Sequence, residues 1–501
     1  MTRRVETVAV VGRDAALWLA AAAVQRSLGA AGVRVVAVEL PSWLNAVDCY
    51  STLPSLASMH RLLGIDEAKM LEAASGVPVA AQRFSNWSKG AAPFFLAYDD
   101  EPPPSGDLPF SQYWLKGHKE GLRVGLEDFS LGCACAKLGR VPVATGDGGE
   151  LSASYGYNLD ASIYAEALKQ LASKRGIVST SGKIADVTLD GNCIRSIELD
   201  DGTRIEADLF IDASGAERVL MMKMPGAKFE RWKDQFGCDR IITASAAPLK
   251  SLPAFSQISA FRGGWVGLYP LRDRTAVVAV YASDVVSDHS MPGELPLLAR
   301  MAVSGEAVVA EIKPGMLERP WIGNCVAVGD AAIALEPVDA AQLHVAQGCI
   351  SHLIAVFPAT ADEMPEASAY NKSMRSFAGN IRDFALAHYV LNRRFDELFW
   401  DKAREAEVPA TLRQKLDLFG ARGTVAIGDD ETFSDQNWTL LMLGAGVEPD
   451  GYDPRIDLLP DEPQIEKVQQ RLRAVSQLAR QMPSVDQFVG RTEQLQAAGV
   501  V

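Results

Sequence analysis

The first chemistry this chain could do lies in six residues that follow an apolar run. Val8-Ala9-Val10-Val11 leads into Gly12-Arg13-Asp14-Ala15-Ala16-Leu17 and then an alanine-rich stretch. In a dinucleotide-binding turn, one glycine permits the turn and a second lets backbone approach the pyrophosphate. A third lets the helix pack on the strand. Only Gly12 is present here. Asp14 takes the second place, where a carboxylate about 4 Å from a phosphate, at an effective dielectric of about 20, costs roughly 4 kcal/mol. A few kcal/mol turns roughly micromolar binding into roughly millimolar. One expectation is that Asp14 N-caps the helix and sets its own carboxylate at the anion site; the other is that it points to solvent. Glu39 fits the acid that binds ribose hydroxyls. Ser214-Gly215 is a turn that would pass close to the dinucleotide, and Gly329-Asp330 follows the apolar run Val326-Ala327-Val328.

Positioning those residues takes a βαβ unit. The pattern predicts a strand over Val8–Gly12, a helix from about Ala15 to Leu28 and a second strand from Val33 to Leu40. Residues 183–214 read as a β meander, with Asp190-Gly191 and Asp200-Asp201-Gly202 as turns. A linker with Pro358, Asp362 and Pro365 precedes a helix whose Tyr370, Met374, Phe377, Ile381, Phe384 and His388 recur every three to four residues. A later helix carries Ile465, Val468, Leu472, Val475 and Leu478 before Pro483. The fold class expected is α/β, a dinucleotide-binding domain with a β meander over residues 1–370, then a mainly helical region over 371–501.

Composition narrows the partners. The chain has 501 residues, is 48% hydrophobic and carries a net charge of −14. That charge argues against nucleic acid or an anionic membrane as the main partner. Seven cysteines without a framework spacing point to reduced thiols and a cytoplasmic location. Cys133 and Cys135 have no companion His/Cys pair, so no metal is expected. Glu6, Arg13 and Asp14 interrupt the apolar N-terminal stretch, which therefore does not read as a signal peptide, and no apolar run is long enough to span a bilayer.

Five separated motifs then identify a family. Gly76-Val77-Pro78-Val79-Ala80-Ala81 with Phe84-Ser85-Asn86-Trp87 comes first. Tyr157-Asn158-Leu159-Asp160-Ala161, read as the opening of a helix, and Ala207-Asp208-Leu209-Phe210-Ile211-Asp212-Ala213-Ser214-Gly215 follow. Asn324 to Gly329 with Leu335-Glu336-Pro337, and His388-Tyr389 with Asn392-Arg393-Arg394, complete the set. Together with Trp18 they resemble the flavin-dependent tryptophan halogenases across essentially the whole chain.

The resemblance implies FAD and a reaction in which reduced flavin meets oxygen, the peroxide takes up halide, and hypohalous acid reaches a lysine beside the substrate. That lysine position is Val79. The glutamate that assists it falls at Asp339, and the halide-binding Ser-Thr-Gly reads Ala340-Ala341-Gln342. The Trp-x-Trp-x-Ile-Pro segment reads Trp265-Val266-Gly267-Leu268-Tyr269-Pro270, and a flavin loop rich in glycine reads Val47 to Pro54 without any. By the same resemblance the cofactor would lie against Gly12, Asp14, Glu39, Ser214, Gly215, Gly329, Asp330 and Pro337. Asp330 matches an aspartate of flavin monooxygenases that meets the ribityl chain, and Tyr98 and Trp438 fall where indole-gripping rings would be.

Three readings follow. The first is a flavin-poor pseudoenzyme that binds a small aromatic molecule or a protein, with a homodimer open. The second is an FAD-dependent oxidoreductase, a monooxygenase or halogenase on an aromatic or indole substrate. The third is a halogenase with a relocated lysine, for which Lys89 is the nearest in sequence. The joint loss of lysine, glycines, halide segment and one Trp favours the first, since one relaxed constraint explains all four.

Overall fold

The computed structural model describes residues 3–99, 108–143 and 151–490. The chain forms two compact units interleaved in sequence. Unit 1 comprises Met1–Gly76, Leu159–Lys233 and Ile312–Asn380; unit 2 comprises Val77–Asn158, Asp234–Glu311 and Ile381–Val501. The boundary at residue 370 used above falls inside the continuous helix Glu366–Val390, because sheet pairings recruit strands from distant parts of the chain.

Unit 1 is built on strand β1 (Thr7–Gly12), helix α1 (Asp14–Leu28) and strand β2 (Arg34–Glu39). β1 lies in the middle of a six-stranded sheet with β2 on one side and the strand Leu209–Ala213 on the other, all parallel. Val8 to Val11 are fully buried, as expected of a parallel strand covered on both faces. α1 is buried along Ala20 to Val24, and small side chains let it pack against the helices Ala161–Lys174 and Gln342–Ala355. Gly12 pairs with Glu39 and with Ala213 across the two registers. A Cβ there would sit 2.4 Å from the Ala213 carbonyl oxygen, so the surviving glycine is a packing requirement.

The meander forms as three antiparallel strands, Ile184–Asp190, Cys193–Leu199 and Arg204–Ile205. Its turns place Gly191 and Gly202 at positive φ. The next strand, Leu209–Ala213, leaves the meander for the central sheet. Tyr157 to Asp160 are strand rather than the start of a helix. Asp160 then caps the helix Ala161–Lys174 by accepting from the Ile163 N–H.

Unit 2 centres on a seven-stranded sheet. Its order is Val303–Glu311, Arg240–Ala246, Thr275–Tyr281, Gly264–Pro270, Phe255–Phe261, Ala81–Ser85 and Phe94–Ala97. Only the pairing of Phe255–Phe261 with Ala81–Ser85 is parallel. The helix Asp461–Gln481 seats Ala479 with Leu131, Cys135 and Met482, whereas Ile465 on the same helix is exposed. Among the described residues no helix is long and apolar enough to cross a membrane, no group of three or more His, Cys, Asp or Glu could hold a metal, and the seven cysteines form no disulfide.

Candidate functional site

In a doubly wound sheet the ligand crevice lies outside the carboxyl ends of the strands, where the strand order reverses. In unit 1 that place is the rim formed by the loops after β1, β2 and Leu209–Ala213, and side chains of those loops bind one another across it. Arg13, not Asp14, occupies the N-cap position of α1, and it makes no side-chain cap. Asp14 has φ 56° and belongs to the helix's first turn. Its carboxylate accepts from the Ser42 hydroxyl at 2.5 Å and from the Trp43 N–H at 3.4 Å. Both expectations for Asp14 are therefore corrected: it neither caps the helix nor faces open solvent, because the loop after β2 supplies closer donors. Burial raises its carboxyl, against the lowering effect of Ser42.

Arg13 completes the crossing. Its guanidinium carbon lies 3.7 Å from the centre of the Trp43 ring, and Nη2 donates to Glu217 at 2.6 Å. Arg13 is 94% buried by its 6% exposure, while Trp43 and the Glu217 side chain are each 49% exposed. The Trp43 ring reaches as far as Gly215, where an added Cβ would come within 3.7 Å of it. Tyr50 is buried, and its phenol is pushed well up by burial and by the nearby Asp14 and Asp330.

The remaining expected cofactor contacts also have internal partners. Glu39 pairs with Lys169 at 2.7 Å and accepts from Ser181. Ser214 donates to Asp212 at 2.6 Å and accepts from the Val219 N–H; Gly215 has φ 73°. Gly329 has φ 60°, and Asp330 accepts from Gln342 at 3.0 Å with its carboxyl raised by burial. Arg218, stacked 3.6 Å over Phe229, donates to the backbone carbonyls of Asp330 and Ala331, and burial lowers it to about 10. Pro337 opens a short 3-10 turn that ends at buried Asp339, and Ala340 follows at φ 57°.

Unit 2 brings together three of the sequence motifs. Phe84 stacks on His388 at 4.5 Å and on Phe94 at 5.3 Å. Trp87 donates to the His388 carbonyl, Arg393 N–H to the Trp87 carbonyl, and Arg394 to the Asn86 carbonyl. Asn392 holds the carbonyls of Tyr389 and Trp400, and Trp265 donates to the Tyr389 hydroxyl. These motif residues form one buried scaffold.

Val79 ends the strand Val77–Val79, pairs with Gly156 and is 2% exposed. Lys89 is half exposed and donates to the Phe395 carbonyl at 2.8 Å beside Glu397. Tyr98 is half-buried next to the sheet's edge strand, its carbonyl accepting from Ser154. Trp438 is fully buried: Lys415 Nζ lies 4.6 Å over its ring, Phe384 meets it edge-on at 4.9 Å, and its Nε1 donates to Glu431. Lys415 in turn pairs with Glu431. Sequence reasoning missed Arg13, Trp43, Glu217 and this buried Lys-Glu pair. The only signal for the first was a charged residue where a dinucleotide turn tolerates any side chain.

The residues of the unit 1 rim can be tested against FAD directly. Its isoalloxazine-bearing half would meet Asp330 and Pro337, while its adenosine and pyrophosphate would have to lie over the start of α1 and the ends of β1 and β2. In the present arrangement Arg13, Asp14, Trp43 and Glu217 join the loops after β1, β2 and Leu209–Ala213, where that half would lie.

A doubly wound, dinucleotide-type unit interleaved with a second unit that has an aromatic scaffold defines the class. The tryptophan halogenase family model matches residues 7–461, and the chain belongs to that family. It is 26% identical to tryptophan 7-halogenase KtzQ of Kutzneria sp. (strain 744), over 98% of this chain and 99% of that protein. Among solved structures, BrvH, a flavin-dependent halogenase from Brevundimonas sp. BAL3, shares 28% identity with a TM-score of 0.91, covering 97% of this chain and 99% of its own. Xcc4156, a flavin-dependent halogenase from Xanthomonas campestris, shares 29% identity with a TM-score of 0.92, covering 98% of each chain.

Proposed function

We propose that this chain is a tryptophan-halogenase-family protein that no longer halogenates through a lysine and serves as a binding protein on the halogenase fold. The observation that carries this reading is Val79, a buried strand residue at the lysine position, with neither Lys89 nor Lys415 replacing it. A valine side chain can neither carry an electrophilic halogen nor donate a hydrogen bond. Lys89 is engaged outside the scaffold and Lys415 is neutralised by Glu431. The ligand on this reading is a small aromatic molecule or a protein segment, and the compartment is the cytoplasm, in keeping with thiols that form no disulfide.

A second reading keeps the flavin chemistry of BrvH and Xcc4156 and makes this chain an FAD-dependent oxidoreductase on an aromatic substrate. It is favoured by the likeness to both enzymes over nearly the whole chain. One assay separates the two. Purified protein is supplied with FAD, a flavin reductase, chloride or bromide, and tryptophan or indole, and products are read by mass spectrometry. The first reading expects no halogenated product, and none from Val79→Lys; halogenated indole from the natural chain would end it. A hydroxylated product would establish the oxidoreductase reading.

A further inference from the structure

We infer that Arg13, Asp14, Trp43 and Glu217 form a latch that selects against the adenylate half of a dinucleotide, so that FAD must break these contacts to bind. The inference uses the family only to say where the nucleotide lies, and it does not depend on the fate of the lysine.

Three loops converge on the latch. The loop after β1 supplies Arg13 and Asp14, the loop after β2 supplies Ser42 and Trp43, and the turn after Leu209–Ala213 supplies Glu217. Asp14 ties the first loop to the second through Ser42 and the Trp43 N–H. Arg13 ties the first to the third through Glu217, and its face covers the Trp43 ring. The free N–H groups at the start of α1 would attract a diphosphate. An arriving diphosphate also meets the Asp14 carboxylate. The single phosphate of FMN also meets Asp14, but FMN has no adenosine to place beside Trp43 and Glu217, so breaking those two contacts leaves its affinity unchanged.

The latch can also open. Arg13 is buried, yet its Nε and Nη1 have no hydrogen-bond partner among the described residues, and buried donors left unpaired are costly. Two of its other members, Trp43 and Glu217, are half exposed, so releasing them disturbs no core.

The test is equilibrium dialysis of FAD and of FMN against the full chain, the Trp43→Ala variant and the Glu217→Gln variant. The natural chain should bind FAD no more tightly than FMN. Each variant should raise FAD affinity about fivefold, the order expected from removing a half-exposed cation–π contact or ion pair, with FMN affinity kept within about twofold. Glu217→Gln keeps the side-chain shape and guards against a folding artefact in Trp43→Ala. FAD affinity that is unchanged or lower in both variants would overturn the latch; a loss in Trp43→Ala would make Trp43 a stacking ring for the ligand. FAD binding at least tenfold tighter than FMN in the natural chain would overturn it as well. None of these outcomes depends on product formation, so the latch and the proposed function fail separately.

Discussion

The rim of unit 1 and the aromatic scaffold of unit 2 both occupy stretches that resemble the tryptophan halogenases, yet they are built in opposite ways. In unit 2, Phe84, Trp87, His388 and Asn392 are buried, Trp87 donates to the His388 carbonyl 301 residues away, and Asn392 donates to the carbonyls of Tyr389 and Trp400. In unit 1 the crossing contacts run through half-exposed Trp43 and Glu217, over a glycine that the packing cannot replace. Motif residues retained in unit 2 therefore carry the fold. The crossing contacts of unit 1 end on half-exposed Trp43 and Glu217, where a changed side chain can alter ligand access at little cost in stability.

The sharpest way to break this contrast is to remove a member of the unit 2 core. Lys415→Met should destabilise the protein by about 3–5 kcal/mol, because Glu431 is left buried and unpaired. The double variant with Glu431→Gln should recover most of that loss in a urea titration. A small penalty for the single variant would show that water reaches the pair. Trp87→Ala should cost about 3–5 kcal/mol by the same titration, from lost packing and an abandoned carbonyl. If the urea midpoint barely moves, the scaffold is not the structural element described.

A smaller effect distinguishes the units by pH. Burial holds His60 of unit 1 down to about 4, beside the Tyr164 hydroxyl at 2.8 Å, and half-buried His344 is lowered to about 4 by the same cause. The unfolded histidine, near 6.5, takes up its proton first as the solution is acidified. The stability contributed by these two histidines is therefore full above about pH 6.5, drains between there and about pH 4, and changes no further below. For His60 alone the loss from pH 7 to pH 5 is about 2 kcal/mol, measurable as a fall in urea midpoint that His60→Asn should reduce. The smallest effect is expected at the latch itself. Trp43→Ala should change stability by no more than about 1 kcal/mol, and a larger loss would place Trp43 in the core of unit 1 and remove the contrast.

Much of the framework is set by short-range pattern. The apolar run Val8–Val11 with Gly12, the alanine-rich α1, the glycine turns of the meander and the periodic helix through Tyr370 and His388 each follow from neighbours within a few residues, and each formed. The five motifs were enough to place the chain in its family. What the sequence could not supply was the partner of each polar group. From its own stretch Asp14 reads as either a helix cap or a solvent-facing carboxylate; Ser42 and Trp43 come close only when β2 lies beside β1. The Arg13–Glu217 and Trp87–His388 contacts span 204 and 301 residues, and Trp438 lost its availability as a substrate ring to a lysine and a phenylalanine on other helices. Local backbone preference and hydrophobic period are readable along one strand or helix, whereas the solvation of a charge or ring depends on which distant loops converge on it, and that is decided only by the packed chain.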